Sequence, residues 1–315
     1  MTPLGGVIGT ITLNPSIDMH WIVNNFVKDD TNRAKRVLET AGGKGINVSK
    51  VVRELGGKTH AYALLGGNAG RRLKELAAPL DFPLSSVPIK GFTRINTLIS
   101  DLKDGTQSRI SALGPAVSAG ELKKFIHLLC HARPRPDFWV FGGSLPREMA
   151  PTVYRELIEA LQGAGTPCVL DADDKPLREG VKAKPFMIKP NEFEMQRLCG
   201  KRLHRLKDYA REATKFVDGG IRIVVVSLAA KGALFITKEG ALHILPPDVE
   251  VRSQLGAGDS LIGGLLQGLE SKKTLEQAAR QGVAASVSAV MREAPRLCLL
   301  SDMPGILKRL RVREI

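Results

Sequence analysis

Residues 138–171 read FWVFGGSLPREMAPTVYRELIEALQGAGTPCVLD, and this stretch decides the fold. Apolar residues dominate 138–141 and 167–171, which have the length of buried strands, while 150–162 shows a helical pattern. A strand, a helix and a second strand in this order indicate one unit of a parallel sheet covered by helices.

The same alternation continues along most of the chain. Further strands are predicted at 7–13, 60–64, 186–189, 221–227 and 233–237, and further helices at 44–55, 119–131, 191–198, 206–218, 258–269 and 275–291. The sequence therefore predicts an α/β fold, a parallel sheet flanked by helices. No low-complexity stretch divides the 315 residues, so we expect a single domain spanning residues 1–315.

Two early regions, 17–39 and 93–112, interrupt this alternation with strand-like patterns and no helix between them. In the second region, residues 95–100 alternate as a strand does, and Gly105 marks a turn. Both regions predict antiparallel strands of a small sheet that projects from the body as a lid or a dimer surface. Because so small a sheet is marginal alone, we expect its apolar face, including Trp21 and Ile22, to be covered by a second copy of the chain.

Composition limits the classes of protein to which the chain can belong. Hydrophobic residues make up 43% and charged residues 25%, as in globular proteins, and no apolar stretch approaches the roughly 20 residues of a membrane-spanning helix. The start of the chain lacks a secretory pattern, and no two cysteines form a C-x-x-C pair. We therefore expect a cytoplasmic protein with four reduced cysteines: Cys130, Cys168, Cys199 and Cys298.

The net charge of +14 suits partners that carry phosphate groups. The positive charges are spread along the chain, and only 5% of the residues are aromatic. Base stacking needs aromatic side chains among the basic ones, so this composition argues against nucleic-acid binding.

The strongest chemical pattern is Gly256-Ala257-Gly258-Asp259-Ser260, followed by an apolar helix at 261–269. Small residues let the backbone approach a ligand, and the free N–H groups of a helix's first turn attract anions. Asp259 in that turn would accept the proton of a hydroxyl that attacks phosphorus. Alone, the motif fits an ordinary aspartate at a helix start equally well. The sequence has no G-x-x-x-x-G-K-[ST], which excludes a P-loop kinase, and no G-x-G-x-x-G after the first strand.

A second glycine-rich segment, GGKGIN at 42–47, forms with 256–260 a pair that resembles the PfkB/ribokinase family of sugar kinases. Four further segments fall in the family's order, so the resemblance covers nearly the whole chain: TLNPSID at 12–18, TRIN at 93–96, GSLP at 143–146 and KPNEFE at 189–194. It is strongest to the hexose-phosphate branch, which holds PfkB-type 6-phosphofructokinases, 1-phosphofructokinases and tagatose-6-phosphate kinases. The resemblance implies a ribokinase-like fold with a small β-sheet lid that often pairs two subunits.

The resemblance also implies roles for the residues that match the family's motifs. Asp259 would be the catalytic base, and Gly256, Ala257 and Gly258 would form the anion site around the transferred group. The residues that would bind the sugar phosphate are Asp18, Arg33, Gly42, Gly43, Lys44, Asn47, Arg94 and Ser144. Lys44, Arg33 and Arg94 would clamp the substrate's own phosphate, since arginine offers a fork and lysine a point charge. A solvated surface is the alternative for each of the three.

On the nucleotide side, the resemblance implies ATP as the donor, Mg²⁺, and K⁺ as a further cofactor near the 256 loop. The residues implied for this side are Lys189, Asn191, Ser227, Lys231, Gly232 and Ser253. Asn191 and Glu194 would hold Mg²⁺ through water. The same pair also fits the N-cap and third position of a helix, and Lys231-Gly232 also fits a hairpin turn.

The reaction expected from the resemblance is phosphorylation of fructose 6-phosphate to fructose 1,6-bisphosphate. Fructose 1-phosphate and tagatose 6-phosphate remain alternatives, because Lys44 with 93–96 is typical of 1-phosphofructokinases, while 224–228 and 296–298 are typical of the 6-phosphofructokinases. A non-catalytic sensor of sugar phosphates, or a nucleic-acid-binding protein, is the alternative from another class. The expected partners are a sugar phosphate, ATP and a second copy of the chain, with no nucleic acid and no membrane.

Overall fold

The computed structural model describes residues 6–315, which form two sheets and ten α-helices. The strands are β1 (Val7–Thr12), β2 (Ser16–Val23), β3 (Arg36–Gly42), β4 (Lys58–Gly66), β5 (Leu84–Ile89), β6 (Arg94–Asp101), β7 (Gln107–Ile110), β8 (Phe138–Gly142), β9 (Cys168–Asp171), β10 (Met187–Ile188), β11 (Ile223–Ser227), β12 (Ala233–Thr237), β13 (Gly240–Leu245) and β14 (Arg311–Glu314). The helices are α1 (Lys44–Glu54), α2 (Gly67–Ala77), α3 (Ala119–Cys130), α4 (Val153–Gly163), α5 (Asp174–Gly180), α6 (Glu192–Cys199), α7 (Leu206–Asp218), α8 (Ala257–Glu270), α9 (Leu275–Val290) and α10 (Met303–Arg309).

The larger sheet has ten strands in the order β14-β13-β12-β11-β10-β9-β8-β1-β4-β5. The seven strands from β11 to β5 run parallel, whereas β12, β13 and β14 extend the sheet as an antiparallel meander. The segment 138–171 forms β8, α4 and β9, as its pattern predicts. The α/β expectation is confirmed, and the sequence pattern missed the two edge strands β5 and β14 and the strand β13 beside β14.

Apolar residues line both faces of this sheet. In β9, Cys168 and Leu170 belong to one core cluster, while Val169 between them belongs to a second cluster on the opposite face. Side chains of a strand alternate between the two faces, so a strand covered by helices on both sides must be apolar throughout. No helix within residues 6–315 has the length and apolar character needed to cross a membrane.

The smaller sheet, here called the lid, has the order β3-β2-β6-β7 and contains the two regions predicted for it. The pairs β2–β3 and β6–β7 are antiparallel, but β2 and β6 run parallel along eight residue pairs, so the fully antiparallel expectation is wrong. The chain between β2 and β6 passes through β3, α1, β4, α2 and β5. A connection of this length can return the chain to the start of the sheet, which a hairpin cannot do.

The lid has one apolar face and one polar face. Trp21 pairs with Val37 and Ile99, and these side chains share a face because directly paired residues point the same way. Ile22, the next residue in β2, must point to the other face, so only Trp21 of the two predicted residues lies on the apolar side. Helix α2 covers the base of that side, and its outer part stays exposed, with Ile95 52% and Ile110 63% accessible.

The polar face of the lid turns toward the larger sheet. Its His20 is buried, with Nδ1 2.8 Å from the Ala294 carbonyl oxygen and Nε2 2.8 Å from Ser100 Oγ. Gln107 of β7 donates to Ser100 Oγ and accepts from Ser253 Oγ, both at 3.2 Å. The lid is therefore hydrogen-bonded to the loop before Gly256, through Ser253, and to the loop after α9, through Ala294.

Candidate active site

The predicted site residues gather at the carboxyl edge of the parallel strands. At this edge β1 leads into 12–18, β8 into Gly143-Ser144, and β10 into Lys189-Pro190-Asn191. In open parallel sheets ligands bind outside this edge, because the loops there converge on one crevice. Segments far apart in sequence thereby contribute to one site.

Helix α8 presents a free N-terminus to that crevice. Gly256 adopts φ 73° immediately before the helix, and a side chain there would collide with Leu297 at 2.2 Å, so glycine is required. The first helical bond runs from the Ser260 N–H to the Gly256 carbonyl at 2.8 Å. The N–H groups of 257–259 therefore precede the helical bonding pattern and are available to an anion.

Asp259 is buried in the first turn of α8, with 6% of its surface accessible. Its Oδ2 accepts a hydrogen bond from Asn47 Nδ2 at 2.8 Å, which joins the two glycine-rich segments directly. Burial raises the pKa of Asp259, although Lys44 opposes the rise. A carboxylate with a raised pKa is a better proton acceptor than an exposed one, as a general base requires.

Asp171, at the end of β9, holds two lysines beside this carboxylate. Lys44 Nζ lies 3.1 Å from Asp171 Oδ2, and Lys189 Nζ lies 3.2 Å from Asp171 Oδ1. Burial acts to raise the pKa of Asp171, but the two lysines outweigh it and hold that pKa below its usual range. Lys189 Nζ also lies 3.2 Å from where a side chain on Gly258 would begin, so its charge adds to that of the helix terminus. These five residues are called the transfer end below: Asn47, Asp259, Asp171, Lys44 and Lys189.

Sequence reasoning missed Asp171. It follows the buried run Cys168–Leu170 directly, and a carboxylate at the carboxyl end of a parallel strand was the available signal. In the structure, Lys44 forms an ion pair with Asp171. A contact between Lys44 and the substrate's own phosphate remains a prediction.

A second cluster, called the lid end, lies where the lid begins. Asp18 Oδ1 accepts from Asn96 Nδ2 at 2.9 Å and from Ser16 Oγ at 2.8 Å. The other Asp18 oxygen rests on Gly42, where any side chain would begin 2.2 Å from it. Only glycine permits this approach between β3 and the Asp18 carboxylate. The lid end comprises Asp18, Gly42, Asn96 and Arg94.

Arg94 opens β6 on the polar face of the lid. Its Nη1 donates to the Ala112 carbonyl at 2.7 Å, while its buried Nε has no hydrogen-bond partner among residues 6–315. Burial lowers the pKa of Arg94, and the Asp18 carboxylate opposes this. A buried donor without a partner is costly, so a ligand with an acceptor oxygen would satisfy it.

Two predicted substrate residues stand apart from these clusters. Ser144 is exposed after β8, and its Oγ accepts from Asn14 Nδ2 at 3.2 Å. Arg33 is exposed in the connection between β2 and β3, and within residues 6–315 no hydrogen bond or ion pair joins it to the other predicted residues. Gly43, also predicted, forms the N-cap of α1 beside Thr12.

Asn191 and Glu194 form a reciprocal cap at the start of α6. The Asn191 N–H donates to Glu194 Oε2 at 2.8 Å, and the Glu194 N–H donates to Asn191 Oδ1 at 2.9 Å. Burial raises the pKa of Glu194, and the nearby Asp171 raises it further. No cluster of three or more metal-binding side chains occurs in the described part of the chain. One remaining carboxylate oxygen fits Mg²⁺ held mainly through water, so capping and metal binding are compatible.

The other residues predicted for the nucleotide lie in neighbouring loops. Ser227 ends β11 and pairs by a backbone bridge with Asn191, and Lys231-Gly232 forms the turn into β12. Lys231 Nζ lies 3.4 Å from Glu192 Oε1 and is exposed. Ser253 is buried, and its Oγ accepts from the Leu255 N–H at 3.2 Å. Ser253 therefore supports the loop that precedes the 256 glycine.

Comparison with known proteins matches this chain to a family. The family described as pfkB family carbohydrate kinase matches residues 7–302. The 1-phosphofructokinase of Borreliella burgdorferi is 30% identical over 98% of this chain and 99% of its own length. The ATP-dependent 6-phosphofructokinase isozyme 2 of Escherichia coli is 31% identical over 95% of this chain and 97% of its own length.

Solved structures give the same result. The crystal structure of phosphofructokinase-2 from Escherichia coli in complex with potassium matches with a TM-score of 0.91 and 30% identity, covering 96% of this chain and 99% of that one. The same protein has been solved in complex with substrates and products and in a tetrameric inhibited form. The family, the fold and the enzymatic nature expected from the sequence are confirmed. The chain belongs to the PfkB family of carbohydrate kinases and is a sugar-phosphate kinase.

Proposed function

We propose that this kinase transfers a phosphoryl group from ATP to fructose 6-phosphate, giving ADP and fructose 1,6-bisphosphate. The observation that carries the proposal is the buried Asp259, hydrogen-bonded to Asn47 at the free N-terminus of α8. A proton acceptor and an anion site at one point are what phosphoryl transfer to a hydroxyl needs. Arg94, with its unpartnered donor, supplies a place for the phosphate that the sugar already carries.

The residues divide the reaction between them. Asp259 takes the proton of the attacking hydroxyl, while the N–H groups of 257–259 and Lys189 stabilise the charge on the transferred group. Asp18 accepts a sugar hydroxyl and thereby orients the substrate. Mg²⁺ bound through Asn191 and Glu194 would neutralise the phosphates of the nucleotide. Most of the rate then comes from positioning and charge stabilisation.

Fructose 1-phosphate is the second candidate substrate. Lys44 and residues 93–96 are typical of 1-phosphofructokinases, and the relative from Borreliella burgdorferi carries that name. The two substrates place the phosphate and the reacting hydroxyl at opposite ends of the same sugar and give the same product. Tagatose 6-phosphate is a further alternative.

A coupled assay of ADP release decides among these sugars. We expect fructose 6-phosphate to give the highest kcat/KM, followed by fructose 1-phosphate and tagatose 6-phosphate, with free fructose and ribose far behind. Faster turnover of a free sugar than of any sugar phosphate would contradict the role given to Arg94. Salt-sensitive retention of DNA or RNA without turnover would support a non-catalytic binder instead.

We also propose a homodimer formed through the apolar face of the lid. Trp21, Val37, Ile95 and Ile110 lie on that face and are 37–63% accessible in a single chain. Burying them would stabilise a small sheet that has little core of its own. Sedimentation as a monomer at micromolar concentration would contradict the dimer.

We further propose that the kinase uses potassium as a cofactor and that it is located in the cytoplasm. The structural neighbour from Escherichia coli was solved with potassium, and the backbone carbonyls of the loop before Gly256 are ligands of the kind that potassium accepts. A comparison of turnover in potassium and sodium salts tests this cofactor. All four cysteines are free, as expected in a reducing compartment.

A further inference from the structure

Lys50, three residues after Asn47 in α1, connects the two ends of the site. Its Nζ donates to the Ala41 carbonyl, one residue before Gly42 at the base of the lid. The same Nζ lies 3.4 Å from Asn47 Oδ1, and Asn47 in turn donates to Asp259. One ammonium therefore contacts both the lid base and the residue that holds the proposed catalytic base.

Two carboxylates interact electrostatically with this ammonium, those of Asp18 in β2 and Asp259 in α8. Each is a carboxylate that the proposed mechanism uses, one to orient the sugar and one to accept a proton. The ammonium of Lys50 attracts both carboxylates electrostatically, so its charge couples the two ends of the site. The contact with Asn47 Oδ1 also fixes which way that amide points, so that its Nδ2 faces Asp259.

We propose that Lys50 is a positioning residue for phosphoryl transfer, holding the lid base and the Asn47 amide so that Asp18 and Asp259 face one sugar. This inference rests on the proposed function, because it assigns Lys50 a task in that reaction. Lys50 touches the supporting groups Ala41 and Asn47, and it acts on the substrate through them.

The ionisation of Lys50 gives the inference a signature in the pH profile. Burial lowers the pKa of Lys50 to about 8, although Asp18 and Asp259 oppose the fall. In the wild type, kcat should therefore decline as the pH rises through about 8 and the ammonium loses its proton. Lys50→Arg should remove that decline, because a guanidinium stays charged throughout this range.

Lys50→Met removes the charge at every pH. We expect kcat to fall about tenfold or more, because the variant loses a charge-assisted hydrogen bond. The acid limb of its kcat profile should move to higher pH, because Asp259 loses a neighbouring positive charge. Lys50→Arg should restore part of the turnover, and Lys58→Met, at the exposed start of β4, should leave it unchanged.

A merely structural role would lower the melting temperature of Lys50→Met while leaving kcat and both limbs of its profile as in the wild type. That result would overturn the inference. If the wild type turned over no sugar phosphate, the proposed function would fail, and a second measurement would still test Lys50. Carbon-13 NMR of labelled lysine side chains should show one lysine titrating near pH 8, absent in Lys50→Arg. Asp259→Asn should lower that midpoint, and a lysine unaffected by it would overturn the link between the two residues.

Discussion

The two ends of the site differ in how far their charges are satisfied within one chain. At the transfer end, Asp171 lies between two lysines and Asp259 accepts from Asn47. At the lid end, Arg94 has a buried Nε with no partner among residues 6–315. The charges of the transfer end are thus paired within the chain, whereas we propose that a bound sugar phosphate completes the lid end.

This difference follows from where each end is built. The residues of the transfer end lie at the ends of strands and the starts of helices around a sheet that is apolar on both faces. A packed core therefore holds their side chains. The lid end stands on a four-stranded sheet whose outer apolar face is exposed. Changes at the transfer end should therefore act on turnover and stability, and changes at the lid end on substrate affinity.

The largest effect is expected from Asp259→Asn. Asparagine keeps the size and the favourable helix start but cannot take the proton, so kcat should fall about 10²–10⁴-fold. Binding of both substrates and the melting temperature should change little. Steady-state kinetics and thermal unfolding measure these quantities, with Asp218→Asn at the exposed end of α7 as the matched control.

Asp171→Ala should mainly affect stability. Removing the carboxylate leaves two lysines without their partner, which costs about 3–5 kcal/mol of the free energy of unfolding when a buried pair is broken. Because the pKa of Asp171 is lowered in the folded state, its contribution is present above the unfolded pKa and is lost as the pH falls through the folded one. Denaturant unfolding at neutral and acid pH should show the difference from wild type shrinking in acid. The exposed Asp173→Ala should show no such difference, and an equal loss in both variants would contradict the pairing.

Arg94→Ala should raise KM for the sugar phosphate while leaving kcat nearly intact. Loss of charge-assisted hydrogen bonds to a phosphate corresponds to about 10–100-fold in KM. Arg94→Lys should recover only part, because lysine keeps the charge but lacks the fork. Initial rates over a range of sugar phosphate give both constants, and Arg222→Ala, exposed before β11, serves as the control. A large fall in kcat with unchanged KM would contradict this role and would indicate that Arg94 acts in phosphoryl transfer, as proposed for the residues of the transfer end.

The smallest effect is expected from Gln107→Ala, which removes the hydrogen bonds from β7 to Ser100 and Ser253. Neutral hydrogen bonds contribute about 0.5–1.5 kcal/mol each, and an exposed strand recovers part of this from water. Turnover should stay within about threefold of wild type. Hydrogen exchange should become faster in β7 and in the loop before Gly256. Unchanged exchange in both would mean that these bonds do not hold the lid to the loop.

The sequence predicted the start of α8 better than the contacts between distant segments. Gly256 and Asp259 stand in a local pattern whose geometry a helix start determines, so their place followed from neighbouring residues. Asp171 and Lys50 were missed because their roles depend on contacts with α1, β3 and β10, far away in the chain. The parallel pairing of β2 and β6 was missed for the same reason, since strand alternation shows which faces are apolar but not the direction of the partner strand.

The most direct test of the central claim follows phosphorus during one reaction. In phosphorus-31 NMR of the kinase with ATP, Mg²⁺ and fructose 6-phosphate, the γ-phosphate signal should decline one for one with the growth of a new sugar-phosphate signal, that of fructose 1,6-bisphosphate. Asp259→Asn should form less than about 1% as much product in the same time. Release of the γ-phosphate as inorganic phosphate, or product formation by Asp259→Asn at the wild-type rate, would contradict transfer to a sugar phosphate with Asp259 as the base.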